Sequence, residues 1–277
     1  MGAFSTYLQI SQIHPVVVDW TRRVVKNGGA LPGQRTVQSL HNFWTTLVTN
    51  QIDTKMRSVN CLTPDNLTSA ITPLYQLSGN DPWTNTNFLA ADLTVDGLIG
   101  NGSSKFLNPN IIPSVMFPND NMGGLTVYSV TPSNVITPVE FGVSQVTPQY
   151  AIYFGYNGTS YLDIYANAGT GRISAANSSF AGFLSGNRIS STSLALYRAN
   201  NGMAFNTLAS NSTGGSSSTR PTITPYAFAF NGNGTTSSYT IRRLSFLAAH
   251  LGLTFDEAKI FYNAVQTMRQ QIGGGYV

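Results

Sequence analysis

The sequence predicts a mainly β protein, an antiparallel jelly-roll sandwich with a small helical subdomain before it and a C-terminal helix after it. Two observations predict this fold class. From about residue 80 onward, short runs rich in aromatic and β-branched residues alternate with Gly, Pro and Asn clusters, which is typical of sandwich strands. Apolar residues at three- and four-residue spacing, which indicate amphipathic helices, occur instead near the two ends of the chain. We therefore predict a helical domain at 1–80 and a jelly roll at 81–277.

The N-terminal domain is predicted to contain three helices. The first covers 15–27, because Pro15 is tolerated in a first helical turn and the pair Gly28-Gly29 ends the helix. The second begins near Pro32, and the third is a short helix at 65–74 with Asp65 near its start. The second helix has one apolar face, formed by Val37, Leu40, Trp44, Leu47 and Val48.

The jelly-roll strands are predicted where aromatic and β-branched residues dominate, at 125–130, 150–156, 161–166, 194–197, 226–230 and 239–246. Asn-Gly pairs at 157–158, 201–202 and 231–232 predict tight turns, since Asn and Gly both tolerate positive φ. In the last segment the apolar alternation changes phase after Arg242 and Arg243, which predicts a β-bulge.

The C-terminal helix has a well-marked start and end. Thr254 and Glu257 stand at capping-box spacing, and the glycines from Gly273 onward end the helix. Apolar residues recur between them at helical intervals, at Ala258, Phe261, Tyr262, Val265, Met268 and Ile272. We predict a helix at 254–272 that lies on the sandwich.

The low charge of the chain argues against catalysis. Only 9% of the residues are Asp, Glu, Lys or Arg, where soluble domains average about 25%. The two glutamates are Glu140 and Glu257, and Glu257 is assigned to the helix cap. The paired carboxylates of glycoside hydrolases are missing, as are the serine-hydrolase elbow, the phosphate-binding loop and the zinc-protease motif. We predict no enzyme activity, no catalytic residue and no cofactor.

Metal binding is not predicted either. Cys61 is the single cysteine, and the three histidines, His14, His41 and His250, lie in separate segments. A calcium site is the remaining alternative, but no dense acidic loop occurs in the sequence. Its candidate ligands would be Asp92, Asp96, Asp120 and Asp163.

The charge distribution bears on partners. The net charge of +4 is modest and the basic residues are scattered, so we predict no nucleic-acid partner. A run of about 18 apolar residues is missing and the first residues do not resemble a secretory signal, so membrane insertion is not expected. Synthesis in the cytoplasm is expected.

Several segments resemble virion proteins of tailed bacteriophages that carry laminin-G or concanavalin A-like jelly rolls. The closing part of such proteins is similar to 193–272, with LALYR at 194–198, YAFAFNG at 226–232 and RLSF at 243–246. Their helical lead-in and first strands are similar to 20–29, 65–75, 85–92 and 97–108. The resemblance covers roughly residues 15–272 and rests on the order of the segments.

The resemblance implies a structural protein of the virion, as a head decoration, tail or fibre component made in the host cytoplasm. Other virion proteins and sister subunits would be its partners, and we expect a homo-oligomer, with a trimer as the specific prediction. The helical residues would dock on the particle. On this interpretation, a protein lacking residues 1–75 is expected to keep a folded jelly roll.

Two alternatives remain open. The first is a carbohydrate-binding adhesin or receptor-binding module that contacts a host surface glycan. Its candidate glycan or interface contacts are Trp83, Tyr156, Asn157 and Tyr161. Strand alternation places Tyr161 and Tyr165 on one face, and Trp83 is either exposed or seals the edge between the two domains. The second alternative is a hydrolase that depends on Glu140.

Overall fold

The computed structural model describes residues 12–79, 82–131, 139–145, 149–166, 171–200, 203–212 and 219–274. Within these ranges the chain forms three layers, with two β-sheets face to face and a layer of helices on the outside of one sheet. The predicted fold class, a mainly β antiparallel sandwich with a C-terminal helix, is confirmed.

The described helices are α1 (Pro15–Lys26), α2 (Gln34–Thr49), α3 (Leu67–Ile71), α4 (Pro113–Met116) and α5 (Phe255–Ile272). α3 is shorter than the predicted helix at 65–74, and its cap is Asn66, which accepts a hydrogen bond from the Ser69 backbone N–H. Asp65 serves α2 instead, because its Oδ1 accepts from the Gly33 N–H at 2.7 Å. The capping box predicted for α5 is present.

The strands before residue 130 are β1 (Met56–Asn60), β2 (Tyr75–Gln76), β3 (Thr84–Thr86), β4 (Leu93–Thr94), β5 (Gly97–Ile99), β6 (Phe106–Asn108) and β7 (Gly123–Ser129). Those of the middle region are β8 (Phe141–Ser144), β9 (Gln149–Tyr156), β10 (Thr159–Ala166), β11 (Ile173–Ala176), β12 (Gly182–Ser190), β13 (Ser193–Asn200) and β14 (Met203–Asn211). The last are β15 (Tyr226–Ala227), β16 (Phe230–Gly232), β17 (Thr235–Ser237) and β18 (Arg243–His250).

The turn predictions had mixed outcomes. Asn157 and Gly158 join β9 to β10 with positive φ at both residues, as predicted. The pair at 231–232 was wrong as a turn, because it lies in β16 and the turn to β17 is made by Asn233-Gly234. The pair at 201–202 lies outside the described residues. The predicted bulge occurs in β18, where the register with β7 shifts between Leu244 and Phe246.

In the part of the chain that the structure describes, two sheets of nine strands each form the sandwich. The sheet that packs against the helices, called the covered sheet, has the order β14-β13-β12-β7-β18-β1-β2, with β5 pairing β18 and β4 pairing β5. The second sheet, called the open sheet, has the order β11-β10-β9-β8-β15-β6-β3, with β16 beside β8 and β17 beside β16. The described pairs are antiparallel except β16 with β8.

Two hydrophobic cores follow from this layering. The first lies between the sheets and includes Val127 of the covered sheet and Ile152 of the open sheet. The second lies between the covered sheet and the helices α1, α2 and α5, where Trp20, Phe43 and Phe261 pack with strand residues. Because successive strand residues face opposite sides, the covered sheet is buried on both faces, and all seven residues of β7 are buried.

The predicted helical domain is built into the sandwich. β1, from within residues 1–80, pairs with β18 through four residue pairs, and β2 pairs with β1. α2 also packs on α5, with the Phe43 and Phe261 ring centroids 6.2 Å apart. The two ends of the chain therefore form one helical layer over one shared core, an arrangement that sequence patterns did not predict.

Candidate functional site

The outer face of the open sheet presents a group of three tyrosines. Tyr153 of β9 pairs directly with Tyr161 of β10, and both alternate with residues that point into the inter-sheet core. Tyr156 ends β9 at the Asn157-Gly158 turn and is 38% exposed. The local sequence explains this placement, because strand alternation points two rings outward and the tight turn brings the third beside them.

The three rings stand nearly perpendicular to one another. The ring planes of Tyr153 and Tyr156 meet at 88°, those of Tyr153 and Tyr161 at 78°, and those of Tyr156 and Tyr161 at 75°. Their centroids are 6.0–6.5 Å apart, the distance range of edge-to-face aromatic pairs. Three rings in this relation share no flat face, and we call this group the tyrosine corner.

Arg172, the residue before β11, lies against two of these rings. Its Cζ is 5.6 Å from the ring centroid of Tyr153 and 5.1 Å from that of Tyr161, within cation–π range. Nε donates to Oδ1 of Asp163 at 2.9 Å, and Nη2 donates to Oδ2 of Asp163 at 2.6 Å. Nη2 also donates to Gln149 Oε1 at 3.2 Å. The two-point contact fixes the plane of the guanidinium group.

Burial and charge set the electrostatics of this group. Asp163 is fully buried, and burial raises its pKa although Arg172 opposes the shift. Burial lowers the pKa of Arg172, but the hydrogen bond and charge of Asp163 outweigh it and the net shift is upward. Burial and the charge of Asp163 both raise the pKa of Tyr153. At neutral pH the site therefore contains the Asp163–Arg172 ion pair and a neutral Tyr153 phenol.

A cavity of about 260 Å³ opens at this corner and is lined by Val139, Tyr153, Tyr156, Tyr161, Arg172, Phe230 and Ser238. Among the residues that the structure describes, Nη1 of Arg172 has no hydrogen-bond partner, while Nε and Nη2 are engaged. None of these described lining residues is acidic. The cavity thus combines aromatic walls with one rigidly held group of N–H donors, an arrangement suited to binding a polar ring-shaped ligand.

The candidate contacts predicted from the sequence divide into two groups. Tyr156 and Tyr161 line the cavity, and Asn157 is exposed at the adjacent turn. The prediction of Trp83 as a glycan or interface contact is wrong, because its side chain is 1% exposed and cannot contact a ligand on the surface. Its Nε1 donates to Gln76 Oε1 at 3.0 Å and its ring packs against Phe141. Trp83 therefore fills the space between β2 of the covered sheet and β8 of the open sheet.

The prediction that Tyr165 shares a strand face with Tyr161 is also wrong. Strand alternation would place it on the face of Tyr161, but the register of β10 shifts between Ile164 and Ala166 and Tyr165 has a φ of +57°. This bulge turns the ring into the inter-sheet core, where it stacks on Tyr150 at 5.6 Å.

Glu140, the residue of the hydrolase alternative, lies in the protein interior. Its Oε1 is 2.9 Å from Arg242 Nε, and both side chains are fully buried. Its Oε2 accepts a hydrogen bond from the Phe154 N–H at 2.6 Å. Burial raises the pKa of Glu140 and Arg242 opposes that shift. The carboxylate is therefore a structural ion-pair partner without access to the cavity.

The aspartates considered as calcium ligands each face a basic side chain. The ion pairs are Asp92 with Lys105, Asp96 with Arg269, Asp120 with Arg220, and Asp163 with Arg172. Within the described ranges, no group of three or more His, Cys, Asp or Glu side chains is arranged to hold a metal ion. Across the same ranges, the structure has no helix with the length and apolarity needed to cross a bilayer.

Sequence reasoning missed Arg172 and the role of Asp163. The available signal was that Asp163 lies two residues after Tyr161, and hence on the same strand face. The β10–β11 pairing, in which Leu162 lies opposite Ile173, then brings the neighbouring Arg172 beside Asp163.

Comparisons with known proteins identify no family. No protein-family model matches the sequence, and no curated protein sequence matches it significantly. Similar solved structures include domain 4 of AbnA, a GH43 extracellular arabinanase from Geobacillus stearothermophilus, in complex with arabinotriose (TM-score 0.44, 13% identity, 75% of this chain and 98% of that chain). Another is the CBM40 domain of the Ruminococcus gnavus IT-sialidase bound to α2,3-sialyllactose (TM-score 0.39, 9% identity, 51% of this chain and 82% of that chain). A third is a mutant GH54 α-L-arabinofuranosidase (TM-score 0.40, 13% identity, 64% of this chain and 39% of that chain). Similarities of this size concern the fold alone.

Proposed function

We propose that this protein binds carbohydrate, without cleaving it, through the cavity formed by Tyr153, Tyr156, Tyr161 and Arg172. The observation that carries the proposal is the corner of three tyrosine rings beside an arginine held by a buried aspartate. The C–H faces of a sugar ring pack on aromatic rings, and its hydroxyl oxygens accept hydrogen bonds from a guanidinium group.

The arginine also selects against another ligand class. Aromatic cages bind quaternary ammonium groups by cation–π attraction. Here the guanidinium of Arg172 already occupies the cation–π contact with Tyr153 and Tyr161. The donors at Nη1, which have no partner among the described residues, favour an oxygen-rich ligand instead, which supports a saccharide over a methylated amine.

The virion role proposed from the sequence is a separate proposal, and a glycan-binding surface is compatible with it. A structural protein of a phage particle that also contacts a host glycan would need an exposed pocket, and the open sheet supplies one. The virion partners, the trimer and the location on the particle rest on the sequence resemblance, and labelling of purified particles tests the virion role and the location.

A glycan array tests carbohydrate binding. The wild-type protein is applied to neutral and acidic oligosaccharides alongside Tyr156→Ala and Tyr226→Ala. Tyr226 is a matched control, because it belongs to the open sheet and packs on Phe106 at 4.6 Å without lining the cavity. We expect Tyr156→Ala to weaken binding about 30-fold, the size of a 2 kcal/mol contact, and Tyr226→Ala to bind normally. An array without signal, or equal loss in both variants, would contradict the proposal.

A further inference from the structure

We infer that the cavity takes the terminal sugar of a glycan, entered end-on, and does not bind internal units of a linear chain. This inference rests on the proposed carbohydrate binding and specifies the ligand class. It concerns the geometry of the corner formed by Tyr153, Tyr156 and Tyr161.

The angles between the rings exclude a flat binding track. Successive units of a linear glycan can stack on several aromatic rings when those rings are roughly coplanar. Here every pair of ring planes meets at 75–88°. A sugar ring that stacks on one tyrosine must therefore meet the other two edge-on, and these two rings block continuation of the chain in their directions.

Apolar side chains also bound the cavity. Val139 and Phe230 line it, and Val139 belongs to the buried residues of the structure. The volume of about 260 Å³ lies below the ~300–1,000 Å³ that is usual for pockets that bury a drug-sized ligand. One sugar unit therefore fills the corner, and the remainder of the glycan projects into solvent.

Arg172 gives this end-on site its polar contact. Asp163 holds Nε and Nη2, so Nη1 is directed by a rigid guanidinium plane and has no competing partner among the described residues. Two N–H donors on one nitrogen can reach a hydroxyl oxygen, or a carboxylate oxygen of an acidic sugar. Because Asp163 already balances the arginine charge, an acidic group is not required of the ligand.

The test compares the two orientations of the same chain. Maltohexaose, xylohexaose, arabinohexaose and hexa-N-acetylchitohexaose are immobilised through the reducing end on one surface and through the non-reducing end on another. A set of branched glycans with terminal galactose or sialic acid is included. We expect binding in only one orientation of a linear probe, or to branch tips alone, and affinity that changes less than about threefold between two and six units.

Soluble monosaccharides provide the second measurement. The monosaccharide corresponding to the bound terminus is expected to compete, with an affinity within about tenfold of the oligosaccharide. Equal binding in both orientations would overturn the inference, as would a rise in affinity of tenfold or more with chain length. Retention on insoluble linear polysaccharide would also overturn it. Absence of binding to every probe would instead overturn the proposed carbohydrate binding, and the inference with it.

Arg172→Lys separates the role of the guanidinium fork from that of charge. Lysine keeps the positive charge beside Asp163 but lacks the fixed planar donors. We expect at least a tenfold loss of affinity with the preference for one orientation retained, because the three rings are unchanged. A circular dichroism spectrum and melting curve identify any variant that fails to fold, and Arg172→Gln serves as the replacement in that case. Wild-type affinity in the folded variant would remove Arg172 from the site.

Discussion

The two outer faces of the sandwich both carry aromatic residues, but one face is buried under helices and the other lines a cavity. The covered sheet points Tyr128, Phe183 and Phe246 outward, and the helices α1, α2 and α5 bury them. The open sheet points Tyr153 and Tyr161 outward, and these rings line a cavity that reaches solvent. Outward aromatic residues on strands are therefore ambiguous by themselves. Which face receives the helical layer decides whether they stabilise the fold or are available to a ligand.

This difference predicts where substitutions act. Changes on the covered face should alter the free energy of unfolding, since Tyr128, Phe183 and Phe246 are fully buried there. Changes on the open face should alter ligand affinity. Four experiments examine this division, beginning with the largest expected effect.

Removal of residues 1–75 should abolish folding. The deletion takes away α1, α2 and β1, and it exposes the aromatic residues of the second core. Each large apolar side chain that loses its burial costs about 1.5–3 kcal/mol, and a domain is stable by about 5–15 kcal/mol in total. We expect an insoluble product or one without a cooperative melting transition. A soluble, cooperatively unfolding 76–277 fragment would instead support the domain boundary predicted from the sequence.

Phe43→Ala should destabilise the protein strongly. Phe43 is buried in α2 and contacts Phe246 of the covered sheet at 5.9 Å between ring centroids. Truncation of a buried phenylalanine typically costs about 3–5 kcal/mol. Urea unfolding measures the loss, and Val48→Ala, an exposed site on the same helix, should change stability by less than about 0.5 kcal/mol. Equal effects of the two variants would contradict the second core.

Acidification should destabilise the protein through His250. His250 lies on the covered sheet, where its Nδ1 accepts from the Gly252 N–H and its Nε2 is 2.9 Å from Thr126 Oγ1. Burial lowers the pKa of His250 from 6.5 to about 3. Between these values the unfolded state binds a proton that the folded state does not bind, so stability falls as the pH is lowered.

The stability that depends on a neutral His250 falls by at most about 1.4 kcal/mol per pH unit and is fully present above pH 6.5. Urea midpoints measured from pH 7 to pH 4 should therefore fall more steeply for the wild type than for His250→Gln. Parallel curves would show that folding does not lower the pKa of His250.

Tyr156→Ala should have the smallest effect on stability. Its side chain is 38% exposed and lies at the end of β9, so we expect a loss of less than about 1 kcal/mol. Thermal melting measures this value, and the array measures the accompanying loss of glycan affinity. A large drop in melting temperature would mean that the tyrosine corner supports the fold, which would break the division between the two faces.

The elements that could be predicted from the sequence depend on local chemistry. The α5 helix was predictable because Thr254 and Glu257 cap it within one turn. The Asn157-Gly158 turn was predictable because both residues tolerate the positive φ that the turn requires. In each case the interacting groups are near neighbours in the chain.

The elements that were missed depend on contacts between distant segments. β1 was not predicted, since its strand partner β18 lies near the other end of the chain. Trp83 could not be assigned to the interior without knowledge of Gln76 and Phe141, which surround it. Arg172 acquires its role through the β10–β11 pairing, which a pattern of single residues does not reveal.

The layering also gives the molecule a direction of display. α1 begins and α5 ends within the helical layer, whereas the tyrosine cavity lies beyond both sheets, on the opposite side of the molecule. The two sheets alone separate these sides by about 10 Å. Any support that holds the helical layer, whether a sensor chip, a bead or a larger assembly, would leave the cavity facing outward. Many copies held in this way would present their cavities in parallel and bind a multivalent surface with avidity well above that of one site.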